Sequence, residues 1–343
     1  MIKTVCQKCF LDEELKGFII AQGNISVCDC CKTAEIETIK IEELYDFFSE
    51  LLDNFQVTKD GETIVNKLQG TWDFFKDNST ANKVLNVVIP EIASHIQSID
   101  DFVDFNDEIN QNISYWRTLK EQLKWERRYL TDIDYLTNDL GWDGFFNSKI
   151  TLKRDDQLYR ARLHNRPFAD PFPLNEMSCP PPEISTSGRS NPAGIPYLYL
   201  SDNPETILYE ITASYLDEVS IGTFTMSDHI QHEITISDFT EIPTLFHPSE
   251  VNKRIKSTLL KKSISIDLSK PMRRYDSELD YIPTQFICEF IKVFTHVQGI
   301  KFRSSLHPTG NNTVLFDKEI LTCRVVEKFQ IHNVTIKGKK VIK

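Results

Sequence analysis

Two pairs of cysteines near the amino terminus constrain this chain more than any other feature. VCQKCF carries Cys6 and Cys9, VCDCCK carries Cys28 and Cys31, and 18 residues separate the two C-x-x-C knuckles. That spacing suits a four-thiolate structural zinc site, in which the metal contributes folding energy and takes no part in catalysis. Cys30 is the alternative fourth ligand; Cys31 is preferred because it repeats the first spacing. Buried cysteines without a metal are the plainer alternative, and a redox pair is disfavoured because no thioredoxin-like strand–helix–strand pattern follows. The first residues, MIKTVCQKCF, lack the apolar run of a secretory signal, and no later segment reaches the roughly 18 apolar residues needed to span a bilayer. A cytoplasmic protein with reduced thiols is therefore expected.

From Ile41 to about Asp139 the apolar residues recur three and four apart. IEELYDFFSELLDNF, NKVLNVVIPEIASHIQSI and SYWRTLKEQLKWERRYLTDIDYL each predict amphipathic helix, the last as one long element. An all-α domain is expected here, with Trp116, Trp125 and Tyr129 packed in its core. After Gly141 and Gly144 the pattern changes to short β-like runs: LYRARL, IPYLYLS, IGTFTM, HEITISDF, IKFRSS, NTVLFD and CRVVEKFQIHNVTI, with helices at PETILYEITASYL and YIPTQFICEFIKVFTHV. The chain thus divides into a zinc knuckle (1–40), a helical domain (41–145) and an α+β domain (146–343). The last stretch, IKGKKVIK, reads as a solubilising basic tail.

At 343 residues the chain can bury more than one core. Its net charge of −11 argues against a broad grip on a nucleic-acid backbone, but a small phosphate ligand needs only one or two local arginines. Candidates are Arg160 on LYRAR and Arg189 in the turn GRSNPAG; an inward-facing arginine is costly unless it meets an anion or carboxylate. Tyr199, on the strand after that turn, offers a ring for a flat heterocycle. Glu205 lies in the first turn of the next helix, where the helix dipole explains it, so Glu210 is the better candidate for chemistry. Tyr281 and Gln285 sit a turn apart on DYIPTQFICEFIK. Ser304 and Ser305 end a strand before a turn with His307, Gly310, Asn311 and Asn312. A serine hydrolase is disfavoured, because no G-x-S-x-G elbow occurs.

The ordered motifs LYRAR, GRSNPAGIPYLYLS with PETILYE, and GIKFRSSL with NNTVLF resemble the RES domain, named for Arg, Glu and Ser, over roughly residues 150–330. The cysteine knuckles followed by helices resemble the HEPN/RES amino-terminal domain. The resemblance implies a fold related to ADP-ribosyltransferases and an NAD-consuming toxin or defence effector, a phosphorylase or glycohydrolase acting on the nicotinamide–ribose bond. It implies Arg160, Arg189, Tyr199, Glu210 and Ser304 as site residues, with Asn312 joining Arg160, Arg189 and Tyr199 in holding NAD. It further implies NAD as substrate, phosphate as a co-substrate, zinc as structural metal, an antitoxin or other regulatory partner, and self-association, with no membrane partner. Ser190 and Phe302 depart from the family's usual residues, which alters the pocket wall. The helical region has no Arg-x4–6-His motif, which disfavours RNA cleavage. The alternatives are an ADP-ribosyltransferase acting on a protein, predicting labelled protein from labelled NAD, and a non-enzymatic zinc and helix adaptor, predicting intact NAD.

Overall fold

The computed structural model describes residues 2–92, 94–146, 149–241, 243–271 and 278–335, so the basic tail, 336–343, lies outside the described residues. The chain forms two compact units. Met1–Thr118 and Ile242–Leu260 make the first; Leu119–Glu241 and Lys261–Lys343 make the second.

In the first unit, strands β1 (Thr4–Cys6), β2 (Asn24–Ser26) and β3 (Ile36–Lys40) form a small antiparallel sheet in the order β1-β3-β2, with helix α1 (Glu13–Gln22) between β1 and β2. Helix α2 (Tyr45–Leu52) precedes β4 (Phe55–Thr63), and α3 (Ile64–Trp72) and α4 (Asn78–Val88) follow it. Thr63 and Asp77 cap α3 and α4, each accepting from the backbone N–H three residues on. The core is aromatic, with Phe10, Phe47, Phe48, Phe74 and Phe75 buried together. The all-α expectation is corrected here: β4 pairs antiparallel with β5 (Phe102–Phe105) as well as the knuckle sheet being present. In FQVTKDGET, Val57, Thr58 and Thr63 are β-branched and favour a strand over the helix expected from the flanking periodicity.

Residues 242–260 lie inside the carboxyl-terminal half of the sequence yet complete the first unit's core, where Phe246 sits 5.0 Å from Phe47 and 5.3 Å from Phe18 between ring centroids. Asp12 clasps the segment. Its Oδ1 caps α1 by accepting from Leu15 N at 3.0 Å, while Oδ2 accepts from Leu245 N at 2.6 Å and Phe246 N at 3.0 Å. Asp12→Ala orphans three buried donors at about 1–3 kcal/mol each, so a loss of at least about 3 kcal/mol is expected. Urea unfolding checks this; a midpoint equal to wild type would refute the clasp.

Helix α5 (Asp107–Trp125) is shorter at its end than the single long helix expected. The N–H groups of Glu126 and Arg127 both turn back to Gln122 O, and Arg128 donates to Leu123 O and Lys124 O, closing the helix. The expectation that all three aromatics pack in the core is therefore corrected: Trp116 is 2% exposed, whereas Trp125 is 67% and Tyr129 94% exposed, because the helix ends before they can face inward.

In the second unit, α6 (Trp142–Phe145) leads into β6 (Lys149–Leu152) and β7 (Leu158–Leu163). Then come β8 (Leu198–Ser201), α7 (Pro204–Glu210), β9 (Glu218–Met226), β10 (Ile234–Asp238), α8 (Val251–Ser269, whose residues up to Leu260 belong to the first unit), α9 (Ile282–Phe294), β11 (Gly299–Arg303), β12 (Asn311–Leu315) and β13 (Leu321–Gln330). The eight strands form one sheet in the order β13-β9-β7-β8-β12-β11-β10-β6, antiparallel except for the parallel pair β10–β11. Between β7 and β8 the ladder holds only at Tyr159 opposite Ser201. The sheet opens there, and α7 packs beside the opening, with Ile207 on Ala161 of β7 and Val219 and Ile221 of β9.

Lys261, on α8, is 3% exposed; its Nζ donates to Asp238 O at 2.9 Å and lies over the Phe239 ring. Burial pushes its pKa down from 10.5 to about 8. The native state therefore binds fewer protons than the unfolded chain between about pH 8 and 10.5, so stability should rise with pH across that window. Below it the buried charge costs about 3 kcal/mol. Lys261→Met gives up one hydrogen bond of about 1 kcal/mol and should gain about 2 kcal/mol at pH 7. Melting curves from pH 7 to 10 should lose their upward slope in this variant; a slope unchanged from wild type would count against the assignment.

Candidate active site

The opening between β7 and β8 leads into a cavity of about 350 Å³, whose lining includes Arg160, Arg189, Tyr199, Glu210, Phe302 and Asn312. Seven separate chain segments meet there, one of them contributing Tyr281. Ser304 stands just behind it.

Asn203 caps α7 by accepting from Thr206 N at 2.8 Å, and Pro204 starts the helix with a φ already suited to it. Seven residues then carry the chain to Glu210. Its Oε1 accepts from Ser304 Oγ at 2.7 Å and from Asn312 Nδ2 at 2.7 Å. Asn312 is itself oriented, since its Oδ1 accepts from Ser201 Oγ at 2.6 Å. Ser304 Oγ accepts from Leu306 N at 3.2 Å and His307 N at 3.1 Å while donating to Glu210. A hydroxyl has one proton and two lone pairs. All three are engaged, so Ser304 has no lone pair free for nucleophilic attack and serves to position Glu210. Ser305 is exposed and makes none of these contacts.

The turn holding Ser304 is fixed to α7. His307 Nδ1 lies 2.8 Å from Thr206 Oγ1, and its ring stacks on Tyr209 at 5.2 Å. Gly310 accepts Ser304 N at its carbonyl, and a Cβ at Gly310 would fall 1.9 Å from Thr206 Oγ1. No larger residue fits without moving the turn that aims Ser304.

Arg160 belongs to β7 and lies where the ladder has opened. Its Nη1 donates to Tyr199 O at 3.4 Å, and its Nε has no hydrogen-bond partner among the described residues. Burial lowers its pKa, with the nearby Cys179 acting in the opposite sense. A desolvated guanidinium with an unused donor calls for an anion. Arg189 approaches from the GRSN turn; its Nη1 donates to Leu268 O at 2.6 Å, and its own carbonyl accepts from Thr284 Oγ1 at 2.6 Å.

Tyr199 does more than offer a ring. Its hydroxyl accepts from Ser190 N at 2.9 Å and donates to Asn191 Oδ1 at 2.7 Å, so the side chain holds the turn that presents Arg189. Burial pushes its phenol pKa up. Gly188 leaves room for this arrangement, since a Cβ there would lie 2.5 Å from Asn191 Oδ1 and 2.8 Å from the Tyr199 hydroxyl. Gln285 completes the clamp: its Nε2 lies within donating distance of Ser187 Oγ, Gly188 O and Asn191 O, at 2.8, 2.7 and 3.0 Å. The sequence singles out Gln285 with Tyr281 as a candidate pair a turn apart, without a role. The signal for its role is a glutamine next to the buried residues Thr284, Ile287 and Cys288, which needs partners if it faces inward.

In the first unit, Cys6, Cys9, Cys28 and Cys31 place their sulfurs within 4.8 Å of one another, and Cys30 is not part of that group. The Cys6–Cys31, Cys9–Cys28 and Cys6–Cys9 separations are 3.4, 3.6 and 3.9 Å. Tetrahedral zinc with Zn–S bonds of about 2.3 Å sets its sulfurs about 3.8 Å apart, so the donor set fits. Without a cation the thiols compete: hydrogen bonds from Cys6 and Cys9 drive Cys28 down, while the Cys28 thiolate drives Cys9 up.

Beside the open sheet seam, Arg160, Arg189 and the doubly hydrogen-bonded Glu210 line one cavity. The chain belongs to the RES domain family, whose model matches residues 157–333. Among solved structures, a chain of the M. tuberculosis MbcT–MbcA toxin–antitoxin complex is similar at 13% identity, over 53% of this chain and 87% of that chain. Its TM-score is 0.29. No curated protein matches the chain. Among the described residues, no helix is long and apolar enough to cross a membrane.

Proposed function

We propose that the chain degrades NAD by cleaving the bond between nicotinamide and ribose, and acts as a toxin or defence effector restrained by an antitoxin or another regulatory partner. Family membership supports this reading, and one observation carries it. The half-buried Arg160, whose buried Nε has no partner among the described residues, shares a single cavity with a glutamate held by two hydrogen bonds.

Nicotinamide in NAD already carries positive charge, so it can leave without a proton, and ribose develops oxocarbenium character. The protein's task is then to position the substrate and stabilise charge. Arg160 and Arg189 would hold phosphate groups by charge-assisted hydrogen bonds. The Tyr199 ring would flank the nicotinamide or ribose. Glu210 would hydrogen-bond the ribose and stabilise the developing cation, with Asn312 and Ser304 fixing its carboxylate. Zinc on Cys6, Cys9, Cys28 and Cys31 would be structural.

The test is purified protein with NAD, with and without phosphate, followed by product identification. ADP-ribose 1-phosphate with a phosphate-dependent rate identifies a phosphorylase, and ADP-ribose identifies a glycohydrolase. Labelled protein would identify a transferase. NAD left intact would sink the reading.

A further inference from the structure

Among the described residues, the aromatic side chains lining the main cavity are Tyr199, Tyr281 and Phe302, and they are not equivalent. Phe302 is 2% exposed and belongs to the wall. Tyr199 is committed through its hydroxyl, which holds Ser190 N and Asn191 Oδ1. Tyr281 is half-buried, and no hydrogen bond or ion pair engages its side chain among the described residues. Its backbone, by contrast, is fixed. Thr284 Oγ1 stands 3.0 Å from Tyr281 O and 2.6 Å from Arg189 O, so a single hydroxyl proton is shared by the two wall residues at the start of α9. Gln285, one residue on, grips the turn that carries Arg189. A core tyrosine would be buried with its hydroxyl satisfied, and Tyr281 is neither.

At about 350 Å³ the cavity lies at the lower end of small-molecule sites, so it takes one end of a dinucleotide. With Glu210 at the ribose, that end is the nicotinamide riboside. We propose that Tyr281 recognises the nicotinamide ring and selects the oxidised, cationic form of the dinucleotide over its reduced form. The proposal rests on the NAD reading. Oxidised nicotinamide is flat and positively charged, and the electron-rich face of a phenol attracts such a ring, most strongly where water is excluded. Dihydronicotinamide carries no charge and gains only the van der Waals contact. During cleavage the positive charge leaves the ring for the ribose. Tyr281 therefore stabilises bound substrate more than the transition state, whereas Glu210 opposes the charge where it arrives.

Steady-state kinetics on the full chain test this. Tyr281→Leu keeps bulk and loses the ring, so it should raise KM for NAD about tenfold, the scale of one desolvated cation–π contact, without lowering kcat. Tyr281→Phe keeps the ring and should bring KM back to within about twofold of wild type. NADH added as a competitor should inhibit wild type with a constant at least about tenfold above the KM for NAD, and that gap should narrow in Tyr281→Leu. Unchanged KM in Tyr281→Leu, a Phe variant as impaired as the Leu variant, or NADH competing with wild type as well as NAD binds would each overturn the assignment. A fall in kcat at unchanged KM would mark a structural residue and overturn it as well. The competition on wild type needs no variant, so it decides even where Tyr281→Leu fails to fold. Failure of the NAD reading looks different: wild-type protein would neither bind nor cleave NAD.

Discussion

Glu210→Gln protein is expected to bind NAD nearly as well as wild type but to turn it over about 100- to 1,000-fold more slowly, a loss of roughly 2.7–4 kcal/mol of transition-state stabilisation. The substitution keeps an oxygen that can accept from Ser304 and Asn312, so the local framework survives while the charge opposing the developing cation is gone. Ser304→Ala acts differently. It removes one of the two donors to Glu210 and leaves Leu306 N and His307 N without their acceptor, so kcat should fall about tenfold with some loss of stability. Arg160→Ala should act chiefly on KM if its guanidinium holds phosphate in ground and transition states alike. Steady-state NAD consumption by the three variants separates these roles. Wild-type kcat in Glu210→Gln would remove Glu210 from the chemistry.

Much of the second unit was legible because its strands advertise themselves. LYRARL and IPYLYLS are short runs rich in apolar and aromatic residues, bounded by turn residues, and the structure has strands in both. The Asn203-Pro204 start of α7 is a local signal and needed no tertiary information. The sheet opening between β7 and β8, which stay paired only at Tyr159 and Ser201, was not legible, because a truncated ladder is a property of how two strands diverge and leaves no mark in either segment. The same holds for residues 242–260. Phe246 reads as a turn-flanking aromatic until Phe18 and Phe47, some 200 residues earlier, are known to surround it. In β4, local β-branched composition won over the helical periodicity of its neighbours. A serine just past a strand reads locally as a turn hydroxyl, and the family resemblance is what singles out Ser304; its two accepted N–H bonds and its donation to Glu210 depend on a turn fixed by Thr206 and Gly310.

Removing metal from the knuckle should have the largest effect on stability. Cys6, Cys9 and Cys28 are fully buried within the same core as Phe10, Phe74 and Phe75, so the cysteines are packed and not peripheral. Four thiolates within 4.8 Å repel one another unless a divalent cation neutralises them. Apparent zinc binding energies of about 10–16 kcal/mol match or exceed the roughly 5–15 kcal/mol that holds a whole domain together. A strong chelator, or Cys9→Ser, should therefore abolish cooperative unfolding of the first unit. Native mass spectrometry should show one zinc per chain before treatment. Cys31→Ser and Cys30→Ser distinguish the fourth ligand: the first should lose the metal, and the second should keep it because its sulfur lies outside the group of four. If the protein as purified carries no zinc and Cys9→Ser unfolds like wild type, the four sulfurs are a buried thiol cluster and the fold draws its stability there from the aromatic core alone.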